Sequence, residues 1–154
     1  MRSSIDVHNC LQELEIKHEL VPLTGSVKNS ARMADILGLE PHSIIKTLVW
    51  LAGDDPVLAI VAGDRKVDSR KLKKVIGTEQ LRFANDDEVC DITGYIMGAI
   101  PPCAWKTKAT VYVDPLVLEN DIVYAAGGQV NIVLKIRAAD LVAATGATVA
   151  DIAE

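Results

Sequence analysis

Residues 44–51 read Ile-Ile-Lys-Thr-Leu-Val-Trp-Leu, and they form the most informative strand pattern in the sequence. Side chains alternate between the two faces of a β-strand, so the even-numbered residues share one face and the odd-numbered residues share the other. Both faces are apolar except at Lys46 and Thr47. A strand that is apolar on both faces is typical of the buried centre of a sheet. We therefore predict that this strand lies at the centre of the fold.

The presence of Lys46 in this apolar strand requires an explanation. Lysine is almost never fully buried without a partner. One reason is structural: the aliphatic stem packs against the sheet while the ammonium group reaches water. The other is functional, because a lysine held on a rigid strand is a point charge suited to a phosphate, a carboxylate or an ester oxygen. The strand by itself leaves both explanations open.

Length and composition predict a single domain, residues 1–154, with a substantial core. Of the 154 residues 49% are hydrophobic and 24% are charged, which is ordinary for a globular protein. No apolar run approaches the length of a membrane span, and the N-terminal residues lack the apolar core of a signal peptide. We expect a cytoplasmic protein with no membrane partner. The three cysteines have no spacing typical of a zinc site or a redox pair.

Charge is unevenly distributed along the chain. The formal net charge is −5, with 11 basic and 10 acidic groups in residues 1–77 and 5 and 11 in residues 78–154. A negative net charge argues against bulk attraction to nucleic acid, and we expect no DNA partner. Residues 65–74, here called the basic run, are nevertheless rich in cations: Arg65, Lys66, Arg70, Lys71, Lys73 and Lys74. The basic run is either a solvated helix face or a patch that binds an anion.

Helix and strand signals are interspersed along the rest of the chain. Ser30 is a candidate cap for a short helix that ends at Gly38, and Asn85 opens an acidic helix. The turn at 53–56, Gly-Asp-Asp-Pro, joins the central strand to a second apolar strand. Further strands are predicted at residues 18–23, 110–113, 122–126, 130–136 and 149–152, and a helix at 138–145. This pattern indicates an α+β domain with a mixed, mainly antiparallel sheet.

The least regular stretch is residues 93–102, Thr-Gly-Tyr-Ile-Met-Gly-Ala-Ile-Pro-Pro. Glycine allows close ligand approach, and the two prolines stiffen the chain that follows. Such a loop either presents its N–H groups to a bound oxygen, as an oxyanion site does, or is a plain connection. The sequence contains no metal-ligand cluster, Walker-type loop or Gly-x-Ser-x-Gly motif, so we expect neither a metal nor a cofactor. Cys103 has no evident base partner.

Several motifs occur in a fixed order from about residue 28 to the C-terminus. They are Ile45-Lys46-Thr47-Leu48, residues 62–68 (Ala-Gly-Asp-Arg-Lys-Val-Asp) with Leu72, Thr93-Gly94-Tyr95, residues 98–102, Asp114 and Ala126-Gly127-Gly128. This ordered set resembles the YbaK family of aminoacyl-tRNA deacylases, which is related to the editing domain of bacterial-type prolyl-tRNA synthetases. The resemblance implies a small α+β fold with a mixed, partly barrel-like sheet flanked by short helices.

The resemblance also implies a function: a freestanding enzyme that hydrolyses, in trans, the ester joining a wrong amino acid to a tRNA, with tRNA-Pro as the expected substrate. It implies two catalytic elements, Lys46 at the substrate's terminal adenosine or ester region and the loop at Gly98 at the scissile carbonyl. The expected substrate-binding residues are Thr47, Ala99, Ile100, Pro101, Pro102, Gly127, Gly128 and Asn131. The expected tRNA-binding residues are Arg65, Lys66, Arg70, Lys71 and Lys74. The expected partners are mischarged aminoacyl-tRNA and prolyl-tRNA synthetase.

The sequence departs from the family at several positions that bear on specificity. Gly98-Ala99 stands where some members have Gly-Gly, and Thr47 stands where alanine-specific deacylases commonly have Asn. Residues 129–131, Gln-Val-Asn, lack their histidine, and Asn131 is either a polar group at the pocket edge or a turn residue. The amino acid removed is therefore unassigned. Two other functions stay open: a non-catalytic module that binds tRNA or a synthetase, and a hydrolase with Cys103 as nucleophile.

Overall fold

The computed structural model describes residues 1–25 and 29–154, and in these residues eight β-strands form two sheets flanked by five α-helices. The strands are β1 (His18–Pro22), β2 (Ile45–Ala52), β3 (Asp55–Ala62), β4 (Leu81–Phe83), β5 (Thr110–Val113), β6 (Ile122–Ala126), β7 (Ile132–Arg137) and β8 (Thr148–Val149). The helices are α1 (Ser4–Glu13), α2 (Ser30–Leu37), α3 (Ser69–Ile76), α4 (Asp86–Thr93) and α5 (Leu141–Thr145). Short 3₁₀ helices span Pro41–Ser43, Pro115–Glu119 and Ala138–Asp140. None of the helices in the described ranges is both long enough and apolar enough to cross a membrane.

The strands divide into a five-stranded sheet, in the order β4-β2-β3-β5-β8, and a three-stranded sheet, in the order β1-β7-β6. The pairs β3–β5 and β5–β8 are parallel, and the other pairs are antiparallel. A single parallel bridge between Ile44 and Tyr124 joins the two sheets. The predicted α+β class with a mixed, mainly antiparallel sheet is confirmed. The barrel-like character is limited to this one junction, and the described strands do not close into a barrel.

Strand β2 occupies the central position that its sequence predicts. It forms a hairpin with β3 across the turn at Gly53, whose φ of +63° requires a residue that tolerates the left-handed region. The odd-numbered side chains, such as Val49, pack into the main core, and Trp50 packs on the opposite face with Leu72 of α3. Both faces of β2 are therefore buried, as predicted.

The helix boundaries follow side-chain capping. Asp68 caps α3 by accepting hydrogen bonds from two backbone N–H groups, and Asn85 forms a capping box with Glu88 at the start of α4. The prediction that Ser30 caps α2 is wrong by one residue. The N-cap is Asn29, whose side chain accepts from the N–H of Arg32 at 2.8 Å, and Ser30 is the first helical residue.

A buried aspartate anchors the last described segment. Asp114 is 2% exposed, and its carboxylate accepts hydrogen bonds from the N–H groups of Leu116 (3.0 Å), Ile152 (3.0 Å) and Ala153 (3.1 Å). The isolated bridge between Val67 and Ala153 then places this segment against the start of the basic run. The strand expected at residues 149–152 is thus shorter than predicted, and side-chain hydrogen bonds hold most of this stretch in place.

Candidate active site

The first half of β2 has an uncovered edge. At one end Ile44 bridges to Tyr124 of β6, and further along the carbonyl of Val49 accepts from the N–H of Ala84 at 3.1 Å. Between these two points, no strand of the described residues pairs with this edge of β2. The two sheets part here, and the gap opens into a cavity.

This cavity has a volume of about 490 Å³, which lies within the range of roughly 300–1,000 Å³ typical of small-molecule sites. Its walls come from α2, from β2, from the turn after β3, from the loop before the two prolines and from the end of β6. The lining residues are Asn29, Ser30, Ala31, Met33, Ile44, Ile45, Lys46, Thr47, Leu48, Gly63, Met97, Gly98, Ile100 and Ala126. The lining is mostly apolar, with a few polar groups concentrated on β2 and α2.

Lys46 is the only titratable side chain among the described lining residues. It is half-buried, and burial lowers its pKa below the ordinary value of 10.5. The positive charge of Lys66 lowers the pKa further, and the negative charge of Asp64 opposes the shift. A partly desolvated ammonium group gains more from an anionic or developing negative charge than one in open water does.

Internal hydrogen bonds fix the shape of the loop at residues 95–105. The hydroxyl of Tyr95 donates to the carbonyl of Ala104 at 2.9 Å, and Nε1 of Trp105 donates to the carbonyl of Pro101 at 2.8 Å. The N–H of Ala99 donates to the carbonyl of Ile96 at 3.0 Å. Gly98 has a φ of +89°, a conformation that glycine adopts without strain. The loop is therefore a preformed wall of the cavity.

Two residues of this loop have backbone N–H groups without a protein acceptor among the described residues. Gly98 and Ile100 line the cavity, and within the part of the chain that the structure describes their N–H groups donate to no protein acceptor. Ala99, Pro101 and Pro102 are buried and do not line the cavity. Of the loop residues expected to bind substrate, the structure thus brings Ile100 to the same cavity as Lys46, Thr47 and Gly98.

The paired glycines Gly127 and Gly128 lie outside the cavity and serve packing. A side chain at Gly127 would meet the Cγ2 of Ile132 at 2.8 Å, and a side chain at Gly128 would meet the backbone carbon of Ser3 at 2.9 Å. Gly128 also has a φ of +96°. Gly127 therefore packs within the three-stranded sheet, and Gly128 seats the start of α1 against it. Asn131 is exposed and also lies outside the cavity lining.

The cations of the basic run are not equivalent. Nζ of Lys71 donates to Oδ1 of Asp151 at 3.0 Å and to the carbonyl of Ala153 at 2.8 Å. Nη1 of Arg65 donates to the carbonyl of Glu154 at 3.2 Å. The remaining three predicted tRNA contacts are exposed and form no ion pair with another described residue: Lys66, Arg70 and Lys74. Two of the five cations are therefore tied to the segment that Asp114 anchors.

Sequence reasoning missed the wall that α2 and the turn after β3 contribute. Met33 is buried in this wall. Ser30 lies so close to Gly63 that a Cβ atom added at Gly63 would be 2.8 Å from the Cβ atom of Ser30. The glycine in the Ala62-Gly63-Asp64 motif was a usable signal, because a backbone that must pass close to another element needs glycine. The apolar face of α2 carried no such signal.

Two further observations concern metal ligands and the cysteine considered as a nucleophile. In the described ranges, no three His, Cys, Asp or Glu residues are grouped so that they could hold a metal ion. Cys103 is buried, and burial together with the neighbouring Cys10 raises its pKa to about 12. A thiol with so high a pKa is a poor nucleophile at neutral pH. Burial and the raised pKa therefore disfavour Cys103 as the nucleophile of a hydrolase.

Comparison with protein families gives a match over most of the chain. The model of the aminoacyl-tRNA editing domain matches residues 24–144. Among curated proteins, the proline–tRNA ligase of Thermoanaerobacter sp. (strain X514) is 32% identical over 111 residues, which cover 68% of this chain and 20% of that enzyme. The proline–tRNA ligase of Aquifex aeolicus is 34% identical over 91 residues, which cover 56% of this chain and 16% of that enzyme. The chain thus spans about a fifth of the length of these relatives.

Solved structures match over nearly the whole length. The hypothetical protein APE2540 has a TM-score of 0.91 and 30% identity, with 97% of this chain and 99% of that chain covered. A candidate trans-editing enzyme for prolyl-tRNA synthetase has a TM-score of 0.90 and 30% identity, with 100% of this chain and 98% of that chain covered. In both comparisons the two chains share one fold from end to end.

Proposed function

Because the chain belongs to the aminoacyl-tRNA editing domain family, we propose that it is a deacylase that hydrolyses the ester bond of mischarged aminoacyl-tRNA in the cytoplasm. The observation that carries this proposal is the meeting of Lys46 and Gly98 in one mostly apolar cavity. Both residues were singled out from the sequence, although they lie in distant segments. The similarity to proline–tRNA ligases favours tRNA-Pro as substrate and prolyl-tRNA synthetase as partner.

In the proposed reaction, a water molecule attacks the carbonyl carbon of the ester. The carbonyl oxygen becomes an oxyanion, and the N–H groups of Gly98 and Ile100 stabilise it by donating hydrogen bonds. When the tetrahedral intermediate collapses, the carbon–oxygen bond to the terminal ribose breaks, and the ribose oxygen leaves as a hydroxyl. The products are the free amino acid and the intact tRNA.

The protein's contribution is mainly electrostatic and positional. No carboxylate or imidazole lines the cavity among the described residues, so the attacking water gives its proton to solvent or to a group of the substrate. Lys46 offsets the negative charge that develops at the ester and holds the terminal nucleotide in place. Preorganised donors of this kind typically contribute about 10²–10³-fold each to the rate.

The proposed function also explains why a second site is needed. A synthetase pocket built for proline cannot strongly reject amino acids of similar or smaller size, because one methylene group changes the binding free energy by only about 1–3 kcal/mol. A separate hydrolytic cavity removes the errors after they are made. The mostly apolar walls formed by Met33, Leu48 and Ile100 fit a small, uncharged side chain.

Deacylation of a panel of tRNA-Pro species charged with alanine, cysteine or serine tests the proposal. The variant Lys46→Met keeps the aliphatic stem and removes the charge, and we expect it to lower kcat/KM about 10²–10³-fold. Lys108→Met, at an exposed position outside the cavity, is the matched control and should leave the rate unchanged. If the wild type cleaves no species but still binds tRNA, the non-catalytic binding module replaces the deacylase.

A further inference from the structure

A second, smaller cavity lies beside the candidate active site. It has a volume of about 260 Å³ and is lined by side chains that include His42, Asp64, Arg65, Leu116 and Glu119. Only one turn of the chain separates the two cavities, because Gly63 lines the first and its neighbours Ala62 and Asp64 line the second. The two cavities therefore border the same turn, and a ligand that crosses this turn can occupy both.

The chemistry of the lining points to a nucleobase. Two carboxylates, Asp64 and Glu119, would repel a phosphate group, so the cavity does not suit the backbone of an RNA. The volume is below the range of roughly 300–1,000 Å³ that whole small-molecule ligands occupy, and it suits a single planar ring system. The carboxylates accept hydrogen bonds, Arg65 donates them, and Leu116 and the imidazole of His42 offer surfaces on which a ring can pack.

We propose that this second cavity binds the cytosine base that precedes the terminal adenosine of the tRNA 3′ end, an inference that rests on the proposed recognition of tRNA. Every tRNA ends in two cytidines followed by an adenosine. If the adenosine that carries the amino acid occupies the cavity at Lys46, the adjacent base that reaches past Gly63 is cytosine. Asp64 accepts a hydrogen bond from the exocyclic amine of this base. The guanidinium group of Arg65, whose Nη1 donates to the carbonyl of Glu154, donates from its remaining N–H groups to the carbonyl oxygen of the base.

This assignment makes the basic run continuous with the substrate site. Arg65 lies on the rim of the second cavity and begins the basic run, and the exposed Lys66 follows it. Base contacts in the cavity specify the RNA end, and cations next to it bind the phosphates that connect successive nucleotides. The single-stranded end of the tRNA thus follows the turn at residues 63–66 from Lys46 towards α3.

Fluorescence anisotropy with uncharged RNA minihelices tests the base assignment without depending on catalysis. One minihelix ends in cytidine-cytidine-adenosine, and in the other the second cytidine is replaced by uridine, which has a carbonyl oxygen in place of the amine and an N–H in place of the unprotonated ring nitrogen. We expect the replacement to weaken binding to the wild type by about tenfold, within the roughly 5–150-fold range of one lost specific base contact. In Asp64→Asn the side-chain amide can donate to the uridine oxygen, so the preference should disappear or reverse.

The comparison is made between the two RNAs within each variant, because Asp64 also influences the charge state of Lys46. Asp55→Asn is the matched control: Asp55 is an exposed aspartate at the opposite end of β3, and this variant should keep the wild-type preference. Equal binding of both RNAs to the wild type, or an unchanged preference in Asp64→Asn, overturns the proposal. If the protein still deacylates tRNA in that case, the proposed function is retained and only the base assignment is lost. If the wild type shows the base preference but no deacylation, the base assignment is retained and the proposed enzymatic function is refuted.

Discussion

Replacing Asp114 by alanine should be among the most destabilising changes in this chain outside the apolar core. The carboxylate accepts three backbone hydrogen bonds and is 2% exposed. In Asp114→Ala the N–H groups of Ile152 and Ala153 stay buried without an acceptor, at a cost of about 1–3 kcal/mol each. The N–H of Leu116, which is only partly buried, loses a capping bond of about 1 kcal/mol. The free energy of unfolding should therefore fall by about 3–7 kcal/mol, a large part of the roughly 5–15 kcal/mol typical of a domain.

Two further variants test whether the loss of stability depends on the burial of the N–H donors or only on the number of hydrogen bonds that are lost. Asp114→Asn keeps one carboxamide oxygen for the two buried donors and should cost about 1–2 kcal/mol. Asp68→Ala also removes an acceptor from two backbone N–H groups, those of Arg70 and Lys71, but at a more exposed helix start. Since water can replace the lost acceptor there, this variant should cost only about 1 kcal/mol.

Equilibrium unfolding in urea, followed by the fluorescence of Trp50 and Trp105, measures all three differences. Hydrogen exchange at the amides of Ile152 and Ala153 gives a local readout, and their protection should fall furthest in Asp114→Ala. If Asp114→Ala is no more destabilising than Asp68→Ala, the burial of the N–H donors does not determine the loss of stability.

Two further predictions concern charged groups. The hydrogen bond from Arg82, together with that from the backbone of Asn85, lowers the pKa of Glu88 from 4.5 to about 2. The resulting contribution to stability is present above pH 4.5 and is lost as the pH falls towards 2. The wild type should therefore be more stable to unfolding than Glu88→Gln above this interval, and the difference should shrink within it. Lys74 is exposed, whereas Lys71 is paired with Asp151. Lys74→Ala should therefore reduce the slope of the logarithm of the tRNA-binding constant against the logarithm of salt concentration by roughly one unit. Lys71→Ala should act mainly on the stability of the fold.

Each of these two predictions has an outcome that would contradict it. An advantage over Glu88→Gln that stays constant from pH 6 to about pH 2 would mean that the ion pair does not depress the pKa in the folded state. Equal losses of salt dependence in the two lysine variants would mean that Lys71 leaves Asp151 when tRNA binds. The shared control is the wild-type protein at the same ionic strength, since exposed charge pairs weaken as salt increases.

Local signals predicted much of the fold and the central part of the candidate site. The two apolar faces of β2, the turn at Gly53 and the helix start at Asn85 each depend on residues close together in sequence, and all three predictions are confirmed. Lys46 and Gly98 could be singled out because a lysine in an apolar strand and a glycine before two prolines are locally exceptional. Their place in the site is a prediction that activity measurements must test.

The rest depended on contacts between distant segments. The strand β4 is only three residues long and exists because it pairs with the end of β2. Gly127 and Gly128 were predicted to bind substrate, but in the structure Gly127 packs against Ile132 in the three-stranded sheet and Gly128 packs against the start of α1. No pattern near the two glycines in the sequence indicates these contacts. The pairing of Lys71 with Asp151 likewise joins residues that lie far apart in the chain. A sequence motif indicates which residue type is required at a position. It does not indicate which helix or strand packs beside that position.

The pairing of β1 with β7 sets an order of events during synthesis of the chain. His18 of β1 pairs with Ile136 of β7, about 120 residues later, and at roughly 5–20 residues per second the ribosome needs about 6–24 seconds to make the intervening chain. Until then β1 has no partner strand, and β6, which supplies Ala126 to the cavity, has not been joined by β7. The hairpin that carries Lys46 can form well before this. The nascent protein therefore forms the strand that carries the cavity lysine early and the last wall of the cavity late, so binding competence should arise only when β6 and β7 have left the ribosome.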